Sequence, residues 1–334
     1  VTKIAIIGGG SWGTALAIVL MCSRRSHRVA LWVHDAELCE SLRARRVNEV
    51  YLSGFEVPRE VEVTGDLAGA LREADIVLGV VPSAYARATY TAMLPHLKPS
   101  MVFVSATKGL EHSSHERMTQ VISQIVRPKF PPRVAALSGP SFAREVARGD
   151  PTAVVIASAD RGLAASVQEE FSGSTFRLYT NDDVIGVELG GAVKNVIAIA
   201  AGTCAGLGFG HNTTAALITR GLAEMTRLAC ALGARAETLA GLAGMGDLVL
   251  TSTGALSRNR TVGVELGKGR KLDDIIGSMR MVAEGVGTTA ATLELARKTG
   301  LEMPITEQMH TVLYQGRAPR DAIRELMERR LKQE

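Results

Sequence analysis

At 334 residues the chain is long enough for two domains, each with its own core. Its hydrophobic and charged fractions, 46% and 22%, are those of a globular protein, and a net charge of +4 spread along this length suits an anionic ligand but gives no reason to invoke nucleic acid. Cys22, Cys39, Cys204 and Cys230 show neither a C-x-x-C pair nor a histidine at metal spacing, so free thiols are expected and a metal site is not.

The chain opens with Lys3–Ile7, a short apolar run that reads as a buried strand. Gly8-Gly9-Gly10-Ser11-Trp12-Gly13 follows at once, then an Ala/Leu-rich helical run to about Cys22, then a second apolar run, Arg28–Val33. Gly8, Gly10 and Gly13 stand in the G-x-G-x-x-G spacing between strand and helix that a dinucleotide pyrophosphate requires. The first glycine permits the tight turn, the second lets the backbone approach the phosphates, and the third lets the helix pack close on the strand. Free N–H groups at the helix start near Ser11 would face the anion. The same stretch, apolar after Lys3, has the look of a signal peptide. The glycines break its helix, however, and no small-residue cleavage pattern precedes Arg24-Arg25. No uninterrupted run of 18 apolar residues follows, so no membrane span is expected and a cytoplasmic location is.

At the end of the second strand an NAD-selective site would carry Asp or Glu to bind the ribose hydroxyls. Here Trp32-Val33 holds that end, His34 follows, and Asp35 comes one step later. A 2′-phosphate is therefore not repelled, and His34, Arg45 or Arg46 can meet it. The basic run Arg43-Ala44-Arg45-Arg46 otherwise reads as solvated surface. NADPH is expected to be used and NADH tolerated.

Further strands are predicted at Ile76–Val80, Met101–Ser105, Val134–Leu137, Thr152–Ile156 and Phe176–Tyr179, alternating with helical stretches. Continuous apolar strands alternating with helices argue for an α/β, Rossmann-type doubly wound parallel sheet. After Asn181-Asp182-Asp183, a good N-cap cluster, strand signals almost vanish. Val184–Ala201 has helical spacing; Asn212 is read as the cap of a helix ended by Gly233; Ser257 as the cap of one opening with Arg258 and Asn259. Others run from about Glu284 to Gly300, after Pro304 and from Pro319. These patterns place a dinucleotide-binding domain at 1–183 and an all-α domain at 184–334.

Five polar segments punctuate this plan. They are Ser105-Ala106-Thr107-Lys108-Gly109-Leu110-Glu111 and Ser138-Gly139-Pro140-Ser141-Phe142-Ala143 at predicted strand ends, and Gly191-Ala192-Val193-Lys194-Asn195-Val196 in an apolar helix. Gly241-Leu242-Ala243-Gly244-Met245-Gly246-Asp247-Leu248 follows, with Ser257-Arg258-Asn259-Arg260 after it, and Val282-Ala283-Glu284-Gly285 closes the set. In this order, behind Gly-Ser-Trp-Gly, the chain resembles the bacterial NAD(P)-dependent glycerol-3-phosphate dehydrogenases from residue 4 to about 315. Two departures are visible. Ala205 stands where the family often has an acidic residue, and Ser252-Thr253-Gly254-Ala255-Leu256 replaces a Cys-Thr-Asp-Asn-Gln run.

Lys194, with Val193, Val196 and Ile197 beside it, is either a lysine snorkelling from a helix edge or a buried one whose lowered pKa suits proton transfer. The resemblance implies the second, with Lys194 as general acid/base at the substrate C2 oxygen. It also implies that Lys108 touches cofactor and substrate and that Asp247 touches substrate, from where its carboxylate can orient Lys194. Arg258 and Asn259 at a helix start make a good phosphate cradle on physical grounds. By resemblance Gly139, Ser141, Asn195, Thr251 and Ser257 are further substrate contacts, and Ser11, Trp12, Ala143, Val282, Glu284 and Arg258 lie at the cofactor. The implied enzyme is a homodimer that interconverts sn-glycerol 3-phosphate and dihydroxyacetone phosphate with NAD(P)(H) for phospholipid synthesis. Two other readings stay open: a similarly built reductase of a hydroxy or keto acid, and an NADP sensor without chemistry.

Overall fold

A computed structural model describes residues 1–331. The strands are β1 (Thr2–Ile7), β2 (His27–Trp32), β3 (Val47–Asn48), β4 (Leu52–Glu56), β5 (Glu62–Thr64), β6 (Ile76–Gly79), β7 (Val102–Ser105), β8 (Arg133–Ser138), β9 (Thr152–Ala157) and β10 (Phe176–Asn181). Helices α1 (Ser11–Leu20), α2 (Ala36–Arg45), α3 (Leu67–Leu71), α4 (Ser83–Met93), α5 (Met118–Val126), α6 (Ala143–Arg148) and α7 (Arg161–Phe171) alternate with them. Eight strands form one sheet in the order β10-β9-β8-β7-β6-β1-β2-β5, and β3 and β4 make a separate hairpin.

Alternation along β1 explains why the sheet is covered on both faces. Ile4 and Ile6 join Leu16, Leu20, Leu31 and Val104 on one side, while Ala5 and Ile7 join Val77, Tyr90 and Phe103 on the other. Ile4 stands level with Val29 of β2 and Ile76 of β6, so the sheet is parallel around β1. Two features depart from the sequence reading. The pairing of β8 with β9 is antiparallel, which makes the sheet mixed; an apolar strand in mid-sheet reads the same in either direction. β5, only three residues long, extends the sheet beyond β2 and is too short to show a period.

From Asp183 onward the described chain is helical: α8 (Val184–Gly206), α9 (His211–Ala231), α10 (Ala236–Ala240), α11 (Asp247–Thr253), α12 (Arg258–Gly267), α13 (Leu272–Gly277), α14 (Glu284–Thr299), α15 (Pro304–Tyr314) and α16 (Pro319–Glu328). The Asp183 carboxylate accepts the Gly186 N–H and starts α8. Ser257 does the same for α12, accepting the Arg260 N–H. For α9 the cap is Gly210, not Asn212, because Gly208 turns the chain in the left-handed region and Gly210 leaves it extended; Asn212 falls inside the first turn. By length and composition α8 alone, among the described residues, could cross a membrane. However, 83% of its most apolar stretch is buried within the protein, where Val193, Val196, Ile197 and Ala200 pack on Met225, Leu228, Val262 and Leu266. It is the spine of a core.

The spine and α12 pack backbone to backbone. A Cβ on Gly202 would stand 2.0 Å from the Arg260 carbonyl oxygen, and one on Gly263 would stand 2.0 Å from that of Ile199. Only glycine permits this approach, and it sets Arg258 and Asn259, at the start of α12, beside the middle of α8.

Candidate functional site

Gly8 leaves β1 at φ +130, and a Cβ there would sit 2.9 Å from the Val80 carbonyl oxygen; one on Gly13 would sit 1.9 Å from that of Gly8. Both glycines are therefore compelled by the tight turn. Gly10 is different, for its Cβ would meet nothing within 4 Å and would project into open space. Gly10 also caps α1 without a side chain, and no acidic residue lies in the first turn, so the leading N–H groups are free for an anion. This donor set fits a dinucleotide pyrophosphate. Asn48 holds the turn from below, donating to the Gly9 carbonyl at 2.9 Å and to Thr14 Oγ1 at 2.8 Å. Sequence reasoning missed Asn48, because only its complete burial in a polar-looking segment marks it out.

Ser11 and Trp12 open α1 half-buried, with the indole edge-on to Phe176. His34 is exposed against Trp32, and Asp35 caps α2, accepting the Leu38 N–H at 2.7 Å. Arg46 donates to the backbone carbonyls of Val57, Pro58 and Val61, so it braces its own loop; Arg45 is exposed. Of the residues read as partners of a 2′-phosphate, His34 and Arg45 keep their side chains outward.

The second cluster lies at the carboxyl ends of β7 and β8, where α8 and α11 cross above them. Lys108, three residues beyond β7, donates to the Gly139 carbonyl at 2.6 Å, Ser141 Oγ at 3.1 Å and Asp247 Oδ2 at 2.9 Å. Asp247, 1% exposed, turns its other oxygen to Lys194 Nζ, which also donates to Thr251 Oγ1 at 2.9 Å. Two lysines thus share one buried carboxylate. Burial pulls the Lys194 pKa down to about 7; Asp247 opposes the shift, while Lys108 and Arg258 add to it. A single π-helical turn, Leu242–Gly246, delivers Asp247 to this position, and the Gly244 Cα stands where a side chain would strike the Leu239 backbone.

A chain of amides ties this cluster to α12 and α14. Asn195 Nδ2 donates to the Lys108 carbonyl at 3.2 Å, Asn259 Nδ2 donates to Asn195 Oδ1 at 2.9 Å, and the Gly285 N–H donates to Asn259 Oδ1 at 2.9 Å. One side-chain N–H of Asn259 is left for a ligand. Arg258 is half-buried and spends one N–H on the Val282 carbonyl at 2.9 Å; burial lowers its pKa, and Glu284 opposes the shift. Glu284 accepts the Ser83 N–H at 2.8 Å and the Ser83 hydroxyl, so it caps α4 from the other half of the chain. Val282 is exposed, and Ala143 opens α6 half-buried.

The structure thus brings Lys108, Gly139, Ser141, Lys194, Asn195, Asp247 and Thr251 into one cluster, and the amide chain adds Asn259. Ser257, Arg258, Val282 and Glu284 sit next to it. The glycine turn stands apart at the end of β1 and connects to them through Val80 and Ser83. In the departing segment, Gly254 lies under the Phe142 ring, where a Cβ would come within 2.4 Å of it. Among the described residues no group of three or more His, Cys, Asp or Glu is arranged to hold a metal.

Comparison with known proteins gives a consistent answer. The family model described as NAD-dependent glycerol-3-phosphate dehydrogenase N-terminus matches residues 3–164, and that of the C-terminus matches residues 183–324. A glycerol-3-phosphate dehydrogenase [NAD(P)+] of Koribacter versatilis is 62% identical over 98% of this chain and 97% of its own. One of Geobacter sp. (strain M21) is 54% identical over 99% and 98%. The crystal structure of glycerol-3-phosphate dehydrogenase from Coxiella burnetii superposes with a TM-score of 0.93 at 41% identity, covering 98% of this chain and 99% of that one.

Proposed function

The chain belongs to the NAD-dependent glycerol-3-phosphate dehydrogenase family, and we propose that it interconverts sn-glycerol 3-phosphate and dihydroxyacetone phosphate with NAD(P)(H) by proton transfer at Lys194. The observation that carries the mechanism is the buried Lys194–Asp247–Lys108 bridge, with Lys194 poised to change protonation near neutrality. The Gly8–Gly13 turn and the leading N–H groups of α1 would hold the pyrophosphate of a reduced nicotinamide dinucleotide, which when bound would supply the hydride. The Lys194 ammonium donates a proton to the carbonyl oxygen, while Asp247 holds that ammonium in place and Lys108 keeps positive charge where the alkoxide develops. In the oxidative direction neutral Lys194 takes the proton from the 2-hydroxyl. Arg258 and the leading backbone N–H groups of α12 bind the phosphate, remote binding energy that orients the reacting carbon.

The functional division follows the chain. Residues 1–183 bind the dinucleotide and residues 184–334 supply substrate and proton chemistry, a reading supported by the two family matches and by the Asp183 cap. A homodimer in the cytoplasm that supplies glycerol 3-phosphate for phospholipid synthesis completes the proposal. The test follows consumption of reduced nicotinamide with dihydroxyacetone phosphate against a panel of keto acids, in wild type and Lys194→Ala. Dihydroxyacetone phosphate should be preferred, and the variant should lose roughly 10²–10⁴-fold in turnover while still binding NADPH. Preference for a keto acid, or near wild-type turnover in a folded variant, overturns the reading.

A further inference from the structure

Lys108 lies on a loop between β7 and α5, yet its ammonium must meet Asp247 from another part of the chain within hydrogen-bonding distance. The face of α8 that looks onto this loop carries Glu188, Gly191 and Asn195, spaced i, i+3 and i+7 and hence in one row. Asn195 fixes the Lys108 carbonyl. A Cβ on Gly191 would stand 2.4 Å from Ser138 Oγ and 3.7 Å from the Lys108 side chain, so the helix lies directly on this site. Glu188 takes the far end. Its Oε1 accepts the Thr119 N–H at 2.8 Å, and its Oε2 accepts from Arg117 Nη1 and from Thr119 Oγ1, both at 2.6 Å. Glu188 thereby caps α5 from outside, satisfying donors that a helix start leaves orphaned.

The link runs back along the loop. Leu110 bridges to Arg117 across a short antiparallel pair, the Glu111 N–H donates to the Glu116 carbonyl at 2.9 Å, and Leu110 is wholly buried. Displacing Arg117 therefore displaces Leu110, two residues from Lys108. We propose that Glu188 is a positioning residue, which holds Lys108 at Asp247 through Arg117 and the Leu110–Arg117 bridge. This rests on the reading of Lys108 as a catalytic charge, and no function so far described uses Glu188. An ordinary buried ion pair would also stabilise the fold here: the side chains are 7% and 17% exposed, and removing one partner costs stability whatever its role. Kinetics separate the two cases.

The experiment compares wild type, Glu188→Gln, Lys108→Ala and the double variant in the full chain. It measures kcat for dihydroxyacetone phosphate reduction, the pH midpoint of kcat and the NADPH dissociation constant. Glu188→Gln should lower kcat roughly ten- to a hundredfold, the scale of a misplacement near 1 Å, and should weaken NADPH binding no more than Lys108→Ala does. It should also move the pH midpoint upward. Lys194 is faced by Asp247, which raises its pKa, and by Lys108 and Arg258, which lower it, so a loosened Lys108 releases part of the lowering. In the Lys108→Ala background Glu188→Gln should have no further effect on kcat, because its target is gone. A wild-type kcat and pH midpoint with only a lower melting temperature overturns the proposal. So does an equal loss in both backgrounds. If Lys108→Ala itself retains wild-type turnover, the parent reading of Lys108 fails and this proposal with it, an outcome distinct from a silent Glu188→Gln beside a damaging Lys108→Ala. Should Glu188→Gln not fold, Thr119→Val removes one hydroxyl donor while keeping the ion pair. It should give the same pattern more weakly, and additivity with Lys108→Ala would equally refute the role.

Discussion

Gly263→Ala is a small change with a large expected effect. The added Cβ would sit 2.0 Å from the Ile199 carbonyl oxygen, 2.7 Å from the Thr203 nitrogen and 2.9 Å from the Gly202 Cα. All three are backbone atoms and none can rotate away. With a comfortable carbon–oxygen approach of about 3.4 Å, α12 must retreat from α8 by about 1.4 Å. Overpacking of this kind costs roughly 1–3 kcal/mol, against about 1 kcal/mol that alanine gains over glycine inside a helix, leaving a net loss of up to about 2 kcal/mol. At roughly 2–4 °C per kcal/mol for a large domain, the melting temperature should fall by up to about 8 °C. The retreat also carries Arg258 and Asn259 away from Lys194 and Asn195, so kcat/KM for dihydroxyacetone phosphate should fall by about ten- to a hundredfold. NADPH affinity should change less than kcat/KM, since of the residues assigned to the cofactor only Arg258 lies on α12. Thermal melts and steady-state kinetics check both effects, with Gly277→Ala as the control because its Cβ would meet nothing within 4 Å. If Gly263→Ala melts with the control and keeps wild-type kcat/KM, the close packing of α8 on α12 does not set the site.

Three further outcomes are expected. Reduction needs protonated Lys194, whose pKa burial brings to about 7, so turnover of dihydroxyacetone phosphate should fall as pH rises through neutrality and glycerol 3-phosphate oxidation should rise; flat profiles in both directions would remove Lys194 from proton transfer. Arg258→Ala gives up a charge-assisted contact of about 1.5–3 kcal/mol and should reduce efficiency with dihydroxyacetone phosphate by roughly ten- to a hundredfold, but much less with unphosphorylated dihydroxyacetone. Equal losses, measured at saturating cofactor, would refute phosphate binding by Arg258. Asp35 is occupied as the cap of α2, so NADPH should serve at least as well as NADH, and a preference for NADH of about a hundredfold or more would mean that Asp35 leaves the Leu38 N–H for the ribose.

What could be read from the residues in order was what neighbours in order determine. Seven strands stand where apolar β-branched runs predict them, the glycine turn lies between β1 and α1, and Asp183, Ser257 and Gly300 begin or end their helices as local backbone chemistry requires. The residues of the candidate site were legible too, through motifs whose order resembles a family. Their assembly was not. Lys108 and Asp247 are 139 positions apart, and no periodicity says that their side chains share a bond. The direction of β9, the three-residue β5, Asn48 beneath the turn and Glu188 at the end of α5 were equally invisible, because each owes its role to partners remote in the chain. So does the depressed pKa of Lys194: the sequence surrounds it with apolar residues, but only packing removes the water and sets Asp247, Lys108 and Arg258 around it. Local propensity acts over a few residues, whereas burial and Coulomb forces depend on distance in space, and that distance exists only once the chain has folded.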